Sequence, residues 1–122
     1  MANEIKVRVS LSFSKSGVRD GAEATGSFTL ASSVYNRGRQ TIGTSSEALN
    51  VGDVVTGGWC YIENLDATNY VEVRAGGSTD SDFVIRLLPG EFSIFRLSVT
   101  ALAPKLRANT APVDVEFLVL SA

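Results

Sequence analysis

The residues that could support catalysis in this 122-residue chain are carboxylates, because the sequence contains no histidine and only one cysteine. Paired carboxylates hydrolyse glycosidic bonds when one acts as a general acid and the other as a base or nucleophile. Four glutamates lie in strand-like segments that could supply such a pair: Glu63, Glu72, Glu91 and Glu116. Each occupies a polar-facing position, where a solvated charge is the simpler interpretation. The sequence therefore predicts no catalytic residue, and we expect that the protein is not an enzyme.

No metal or cofactor site is predicted. A chain without histidine and with a single cysteine cannot supply an ordinary zinc ligand set. The phosphate-binding loop and the Gly-x-Ser-x-Gly motif are both missing. Asp66, Asp80 and Asp82 could offer oxygen ligands to calcium if their loops met, but they match a dense calcium-binding loop poorly. We expect no bound metal and no cofactor.

Three aromatic residues could form a platform for a sugar ring: Trp59, Tyr61 and Tyr70. The alternative is that they pack into the core, with a tyrosine hydroxyl reaching the rim. Cys60 lies between two of these aromatics in a strand-like segment, which predicts a buried and unreactive thiol.

These side chains must be positioned by strands, since the hydrophobic pattern has a period of two. Residues 4–15 show the longest alternation, and its apolar positions share one face: Ile5, Val7, Val9, Leu11 and Phe13. One buried and one solvated face is typical of an outer strand of a sandwich. The whole chain, this segment included, shows about eight strands with turn signals every 8 to 15 residues, and no segment has helical spacing with caps. The sequence predicts one all-β domain over residues 1–122, an antiparallel and jelly-roll-like β-sandwich.

The segment 57–97 contains four short strands separated by polar turns, which predicts strands joined by hairpins. The strongest turn signal is the dipeptide of Pro89 and Gly90, because proline presets φ and glycine tolerates the positive φ of a type II turn. Residues 83–88 are therefore expected to pair with residues 91–99.

The composition argues against two classes of partner. Eleven basic and thirteen acidic residues leave a net charge of −2, so no general attraction to nucleic acid or to an anionic membrane is expected. No apolar stretch approaches the length of a membrane span, and the first residues lack a signal peptide. We expect the protein to fold in a cytoplasm.

Three segments resemble a known family: GWCYIENLDATNYVEVR, FVIRLLPGEFSIFRL and LRANTAPVDVEFLVL. They are similar to strand and turn motifs of small structural proteins encoded among the head and tail genes of tailed bacteriophages, with Arg107 in place of a lysine. The resemblance covers residues 57–121 and marks a fold, so it transfers no site residue. It implies a head decoration or auxiliary capsid protein, or alternatively a module associated with the tail or a fibre.

The resemblance also implies a location and partners. The protein would assemble in the host cytoplasm and reside in the virion, bound to the major capsid protein or another virion protein. A homo-oligomer is expected, specifically a trimer, because threefold lattice points are common docking sites on capsids. The runner-up function is a carbohydrate-binding β-sandwich that attaches to host glycans.

Two strands are candidates for pairing with a neighbouring chain. Ile5, Val7 and Val9 lie in the first strand, and Phe117 and Val119 lie in the apolar C-terminal run. Either strand could extend a neighbour's sheet through backbone hydrogen bonds. The alternative is that both are internal strands of one sandwich.

Four cationic residues in predicted loops could dock onto an acidic capsid surface: Arg37, Arg39, Lys105 and Arg107. Ordinary solvated charge explains them equally well.

Overall fold

A computed structural model describes residues 3–30, 32–74, 85–97 and 103–122. These residues form strands and turns, with no helix among them. The domain expected over residues 1–122 consists of two compact units, Met1–Ala31 and Ser32–Ala122.

The first unit is an antiparallel hairpin of strand β1 (Ile5–Lys15) and strand β2 (Val18–Phe28). Two residues join the strands, Ser16 and Gly17, with φ angles of 52° and 82°. Positive φ at both central positions is the signature of a type I′ turn, whose twist matches that of the strands. The prediction of a sandwich strand over residues 4–15 is therefore wrong, because this segment pairs with its neighbour in sequence and forms a separate two-stranded sheet.

The second unit contains eight strands: β3 (Tyr35–Ile42), β4 (Glu47–Ala48), β5 (Gly57–Asn64), β6 (Val71–Arg74), β7 (Ile85–Leu87), β8 (Phe92–Arg96), β9 (Lys105–Ala108) and β10 (Val113–Ser121). They form two four-stranded antiparallel sheets. We call the sheet with the order β3-β10-β5-β8 the front sheet, and the sheet with the order β4-β9-β6-β7 the back sheet.

The pairing of these strands is nested. The first strand of the unit pairs with the last, the second with the seventh, the third with the sixth, and the fourth with the fifth. A doubled ribbon of four strand pairs, rolled into two sheets, is the jelly-roll arrangement. The prediction of an all-β, antiparallel, jelly-roll-like sandwich is confirmed.

The core lies between the two sheets. Ile62 and Val115 from the front sheet, and Val71, Val73 and Leu106 from the back sheet, are at most 1% exposed. Inward and outward residues alternate along β5 and β10, as strands with one buried face require.

The turn at Pro89 and Gly90 forms as predicted but does not make a hairpin. The Glu91 N–H donates to the Leu88 carbonyl at 2.9 Å, and Gly90 has a φ of 82°. This turn nevertheless connects β7 of the back sheet to β8 of the front sheet. In a jelly roll, consecutive strands at such a corner lie in opposite sheets, so the expected pairing is wrong.

Candidate functional site

The four glutamates considered for catalysis each have a local partner. Tyr61 donates its hydroxyl to Glu63 Oε1 at 2.7 Å, and the Leu88 N–H donates to Glu91 Oε1 at 2.8 Å. Glu116 and Glu63 are register partners in adjacent strands of the front sheet. The carboxylates of Glu63 and Glu116 thus lie on the same outer face of the front sheet. The four glutamates do not form an enclosed acid–base pair.

The described residues contain no cluster of three or more side chains suited to a metal ion. Asp66 Oδ2 instead accepts the Thr68 and Asn69 N–H groups at 2.9 and 2.6 Å, which makes it a turn-forming residue. The backbone N–H groups of Asn69 and Thr68 lower the pKa of Asp66. Asp80 and Asp82 lie outside the described residues.

The outer face of the front sheet is rich in apolar and aromatic side chains. The alternating burial of its strands turns these residues away from the core. Arg37, Leu118, Tyr61 and Ile94 form one row across the four strands. We call the following residues the front patch: Tyr35, Trp59, Tyr61, Phe92, Ile94, Leu118 and Leu120. Tyr35, Phe92 and Ile94 are exposed, and the other four members are half-buried. A contiguous apolar patch at the surface typically marks an interaction surface.

The expected three-residue aromatic platform is not assembled. Trp59 and Tyr61 are two positions apart on β5 and belong to the front patch. Tyr70 immediately precedes β6 of the back sheet, where the Arg86 guanidinium lies 4.2 Å from the centre of its ring. The platform prediction is therefore wrong as a set of three, because its members lie on opposite faces of the sandwich.

Charge dominates the outer face of the back sheet. Glu72 in β6 accepts hydrogen bonds from Arg86 at 2.9 Å and from Arg107 at 3.1 Å. Burial opposes the charge of Glu72, but the hydrogen bonds from the two guanidinium groups outweigh it and lower its pKa. The two faces of the sandwich thus present different chemistry: the front face combines the front patch with the charges of Arg37, Arg39 and Glu116, and the back face carries an ion-pair network around Glu72.

The four cationic residues predicted in loops lie in strands. Arg37 and Arg39 are exposed in β3 of the front sheet, at 4.0 and 3.7 Å from the carboxylate of Glu116. Lys105 and Arg107 lie in β9 of the back sheet. The predicted loops are wrong, and because the two pairs occupy different sheets they do not form one basic patch.

The two strands predicted to pair with a neighbour differ in availability. Phe117 and Val119 are at most 2% exposed, and β10 is hydrogen-bonded to β3 on one side and to β5 on the other. That strand is internal, as the alternative held, and cannot extend a neighbour's sheet. In β1, Ile5 is buried, Val7 is half-buried and Val9 is exposed.

The β1–β2 hairpin exposes one apolar face. Leu11, Phe13 and Val18 have exposed fractions of 78%, 56% and 60%. Directly opposed residues point to the same side of a ribbon. The pairs Val9–Ala24 and Leu11–Ala22 therefore lie on one face of the hairpin, and Phe13 and Val18 lie on the same face nearer the turn. Sequence analysis missed β2 as a member of this face because its alternation consists of small residues rather than large apolar ones.

The segments that carry the family resemblance meet at one corner of the sandwich. Asn64 is fully buried, and its Nδ2 donates to the carbonyls of Asn69 and Leu87 at 2.9 Å each. Its Oδ1 accepts the Asp66 N–H at 2.8 Å. One side chain thus satisfies three backbone groups, two in the turn that follows β5 and one at the end of β7.

Further hydrogen bonds, from backbone and side-chain groups, connect this corner to the other two motifs. The Asn64 N–H donates to the Glu91 carbonyl at 2.9 Å, and the Thr110 hydroxyl donates to Asn69 Oδ1 at 2.9 Å. The Leu65 N–H donates to the Asp114 carbonyl, also at 2.9 Å. The motifs therefore organise turns, which agrees with their interpretation as marks of a fold.

Cys60 is buried as predicted, with an exposed fraction of 1%. Burial raises the pKa of its thiol to about 12. The thiolate is the nucleophilic form of cysteine, so this residue is unreactive in the folded protein.

Comparison with protein families, curated proteins and solved structures finds no match to the chain. Within the described ranges, no helix has the length and apolar character needed to cross a membrane. The fold and the surface define a jelly-roll protein whose distinguishing features are an apolar front patch and an amphipathic hairpin.

Proposed function

We propose that this protein is a structural component of a tailed-bacteriophage particle, a decoration or auxiliary head protein that binds the capsid through protein–protein contacts. The observation that carries the proposal is the front patch, a partly exposed apolar and aromatic surface on the outer face of the front sheet. Aromatic anchors surrounded by polar residues are characteristic of protein interfaces.

The chemistry of the front patch favours a protein partner. Tyr61 and Phe92 supply aromatic area, while Arg37, Arg39 and Glu116 border it with charges of both signs. Such a border fixes orientation and excludes wrong partners more than it adds affinity.

Two further features support a particle component. The nested strand order of the sandwich also occurs in viral capsid domains, although jelly rolls serve lectins as well. The three motif segments resemble phage structural proteins. In the fold they are joined by hydrogen bonds at the corner around Asn64, so each motif contributes to holding the turns there together.

The proposal is tested with particles of the phage whose genome encodes the chain. Mass spectrometry of purified particles should detect the protein at many copies per particle. Particles made without it should bind the purified protein in a co-sedimentation assay. Absence of the protein from purified particles would contradict the proposal.

Variants identify the face that binds. Y61A and F92D in the front patch should each reduce co-sedimentation at least about tenfold, because the first removes an aromatic anchor and the second places a charge in the apolar contact. K105A on the opposite face is the matched control and should bind like the native protein. A loss of co-sedimentation with K105A alone would indicate that the capsid contact lies on the back sheet, and it would contradict the role of the front patch.

A second candidate, glycan attachment, is favoured by one local feature. A depression of about 190 Å³ on the front sheet is lined by residues that include Arg37, Tyr61 and Glu116. An aromatic ring beside a cation and a carboxylate can bind a sugar by stacking and hydrogen bonding. Calorimetric titration with host surface polysaccharide distinguishes the candidates, since only a glycan-binding protein would release heat that Y61A abolishes.

A further inference from the structure

The apolar face of the β1–β2 hairpin has a definite relief. Its β1 side carries the large residues Val7, Val9, Leu11 and Phe13, which form a ridge. Its β2 side carries Ala22 and Ala24 opposite Leu11 and Val9, which form a groove alongside that ridge. All of these side chains except Val7, which is half-buried, are exposed.

The groove ends at a defined point. A side chain at Gly26 would meet the ring of Phe28 at 2.8 Å, so this ring covers the glycine. The open groove therefore comprises Ala22 and Ala24, which lie opposite Leu11 and Val9, the two central residues of the ridge. The opposite face of the hairpin is polar, with Lys6, Arg8, Ser10, Ser12 and Ser14 along β1.

We propose that this face binds the same face of a second copy of the chain, with Val9 and Leu11 of each ridge seated in the groove of the other. The proposed oligomer is thus a dimer and replaces the trimer suggested by the family resemblance. A surface that carries both a ridge and its complement is self-complementary, which is the requirement of a twofold interface. Large residues packed over small ones fill the space between two β layers, which lie about 10 Å apart.

The relief also selects the orientation of the two copies. A twofold axis parallel to the strands places β1 of one hairpin over β2 of the other, with both turns at the same end. Leu11 then lies over Ala22 of the second copy, and Val9 lies over its Ala24. An axis perpendicular to the strands would place ridge on ridge and groove on groove, which leaves clashes and voids.

Charges near the turn agree with this orientation. Lys15 and Asp20 lie on the apolar face at its turn end, in β1 and β2 respectively. In the parallel arrangement each Lys15 lies over Val18 of the other copy, and Asp20 of that copy is two residues further along the strand, within reach of the long lysine side chain. In the opposite orientation these charges would lie against the apolar base of the second hairpin.

The size of the face sets the expected strength. Each strand has 11 residues, so the face is about 37 Å long and about 10 Å wide. Two such faces bury on the order of 700 Å², which is below the roughly 1,200 Å² of a standard interface. We therefore expect a dimer that forms at micromolar concentrations and dissociates on dilution.

Sedimentation equilibrium of the full chain, from about 1 to about 200 μM, tests the proposal. The native protein should change from monomer to dimer across this range. A22L fills the groove and should weaken the dimer at least about tenfold. Non-specific association of apolar surfaces would instead be strengthened by A22L, because the variant adds exposed apolar area.

The double variant L11A/A22L moves the large residue from the ridge to the groove at one level. It should return the dissociation constant to within about threefold of the native value, because the complement is restored. S10L on the polar face is the matched control and should dimerise like the native chain. Circular dichroism of each variant verifies that the fold is retained.

A monomer at the highest concentration, a trimer mass, an unchanged or tighter dimer with A22L, or a double variant no better than A22L would each overturn the proposal. None of these outcomes bears on co-sedimentation with particles, because the inference concerns the hairpin and is independent of the proposed function.

Discussion

Asn64 shows how one residue can join segments that are distant along the chain. Its amide supplies two donors and one acceptor to backbone groups that would otherwise be buried without partners. The sequence placed this residue at the start of a polar turn, as its type suggests. Its burial and its contact with Leu87 depend on strand β7, which comes from another part of the chain.

We predict that N64D destabilises the fold by at least about 3 kcal/mol, because a carboxylate would face two carbonyl oxygens in place of a donor. Urea unfolding at neutral pH measures the change. N50D is the control, since the exposed Asn50 uses its Oδ1 as an acceptor for the Gly52 N–H and an aspartate retains that role. Equal stabilities of the two variants would show that the donor of Asn64 is unimportant.

At the scale of elements, position within the sheet decides what a residue contributes. β10 is flanked on both sides, and the ring of Phe117 is buried beneath it. β8 lies at the edge of the same sheet, so Phe95 is only partly buried although it faces the core. The sequence marks both as strand aromatics and does not rank them.

We expect F117A to cost about 3–5 kcal/mol, because it removes a fully buried ring and leaves a cavity. F95A should cost clearly less, and F92A on the outer face should change the free energy of unfolding by no more than about 0.5 kcal/mol. Denaturant titration of the three variants ranks them. A loss with F95A as large as that with F117A would contradict the edge position of β8.

At the scale of the whole molecule, charge and burial restrict the pH range of stability. Glu72 and Asp66 have lowered pKa values in the folded state, so their contribution is present above their ordinary values of 4.5 and 3.8 and is lost as the pH falls below them. Cys60 and Tyr61 have raised pKa values of about 12, from ordinary values of 9.0 and 10.0. Above about pH 9 the unfolded chain loses these protons first, so stability falls as the pH rises.

We therefore predict that the free energy of unfolding is highest between about pH 5 and pH 9 and decreases on both sides. Denaturant unfolding from pH 2 to pH 11 measures the profile. E72Q should flatten the acid limb, and Y61F should flatten the alkaline limb above about pH 10. An acid limb that E72Q leaves unchanged would show that the contacts of Glu72 with Arg86 and Arg107 contribute little.

The sequence by itself determined what is local. Alternation over 4–15 predicted a strand with one apolar face, and Pro89 with Gly90 predicted a turn, because side-chain direction and turn geometry depend on adjacent residues. Only the tertiary structure decided which strands meet. The Thr41 hydroxyl in β3 donates a hydrogen bond to Asp114 in β10, 73 positions away in sequence. This strand pairing depends on both sheets burying their inner faces against each other. For the same reason the structure alone placed Phe117 in the core, separated Tyr70 from Trp59, and turned a presumed sandwich strand into an exposed hairpin.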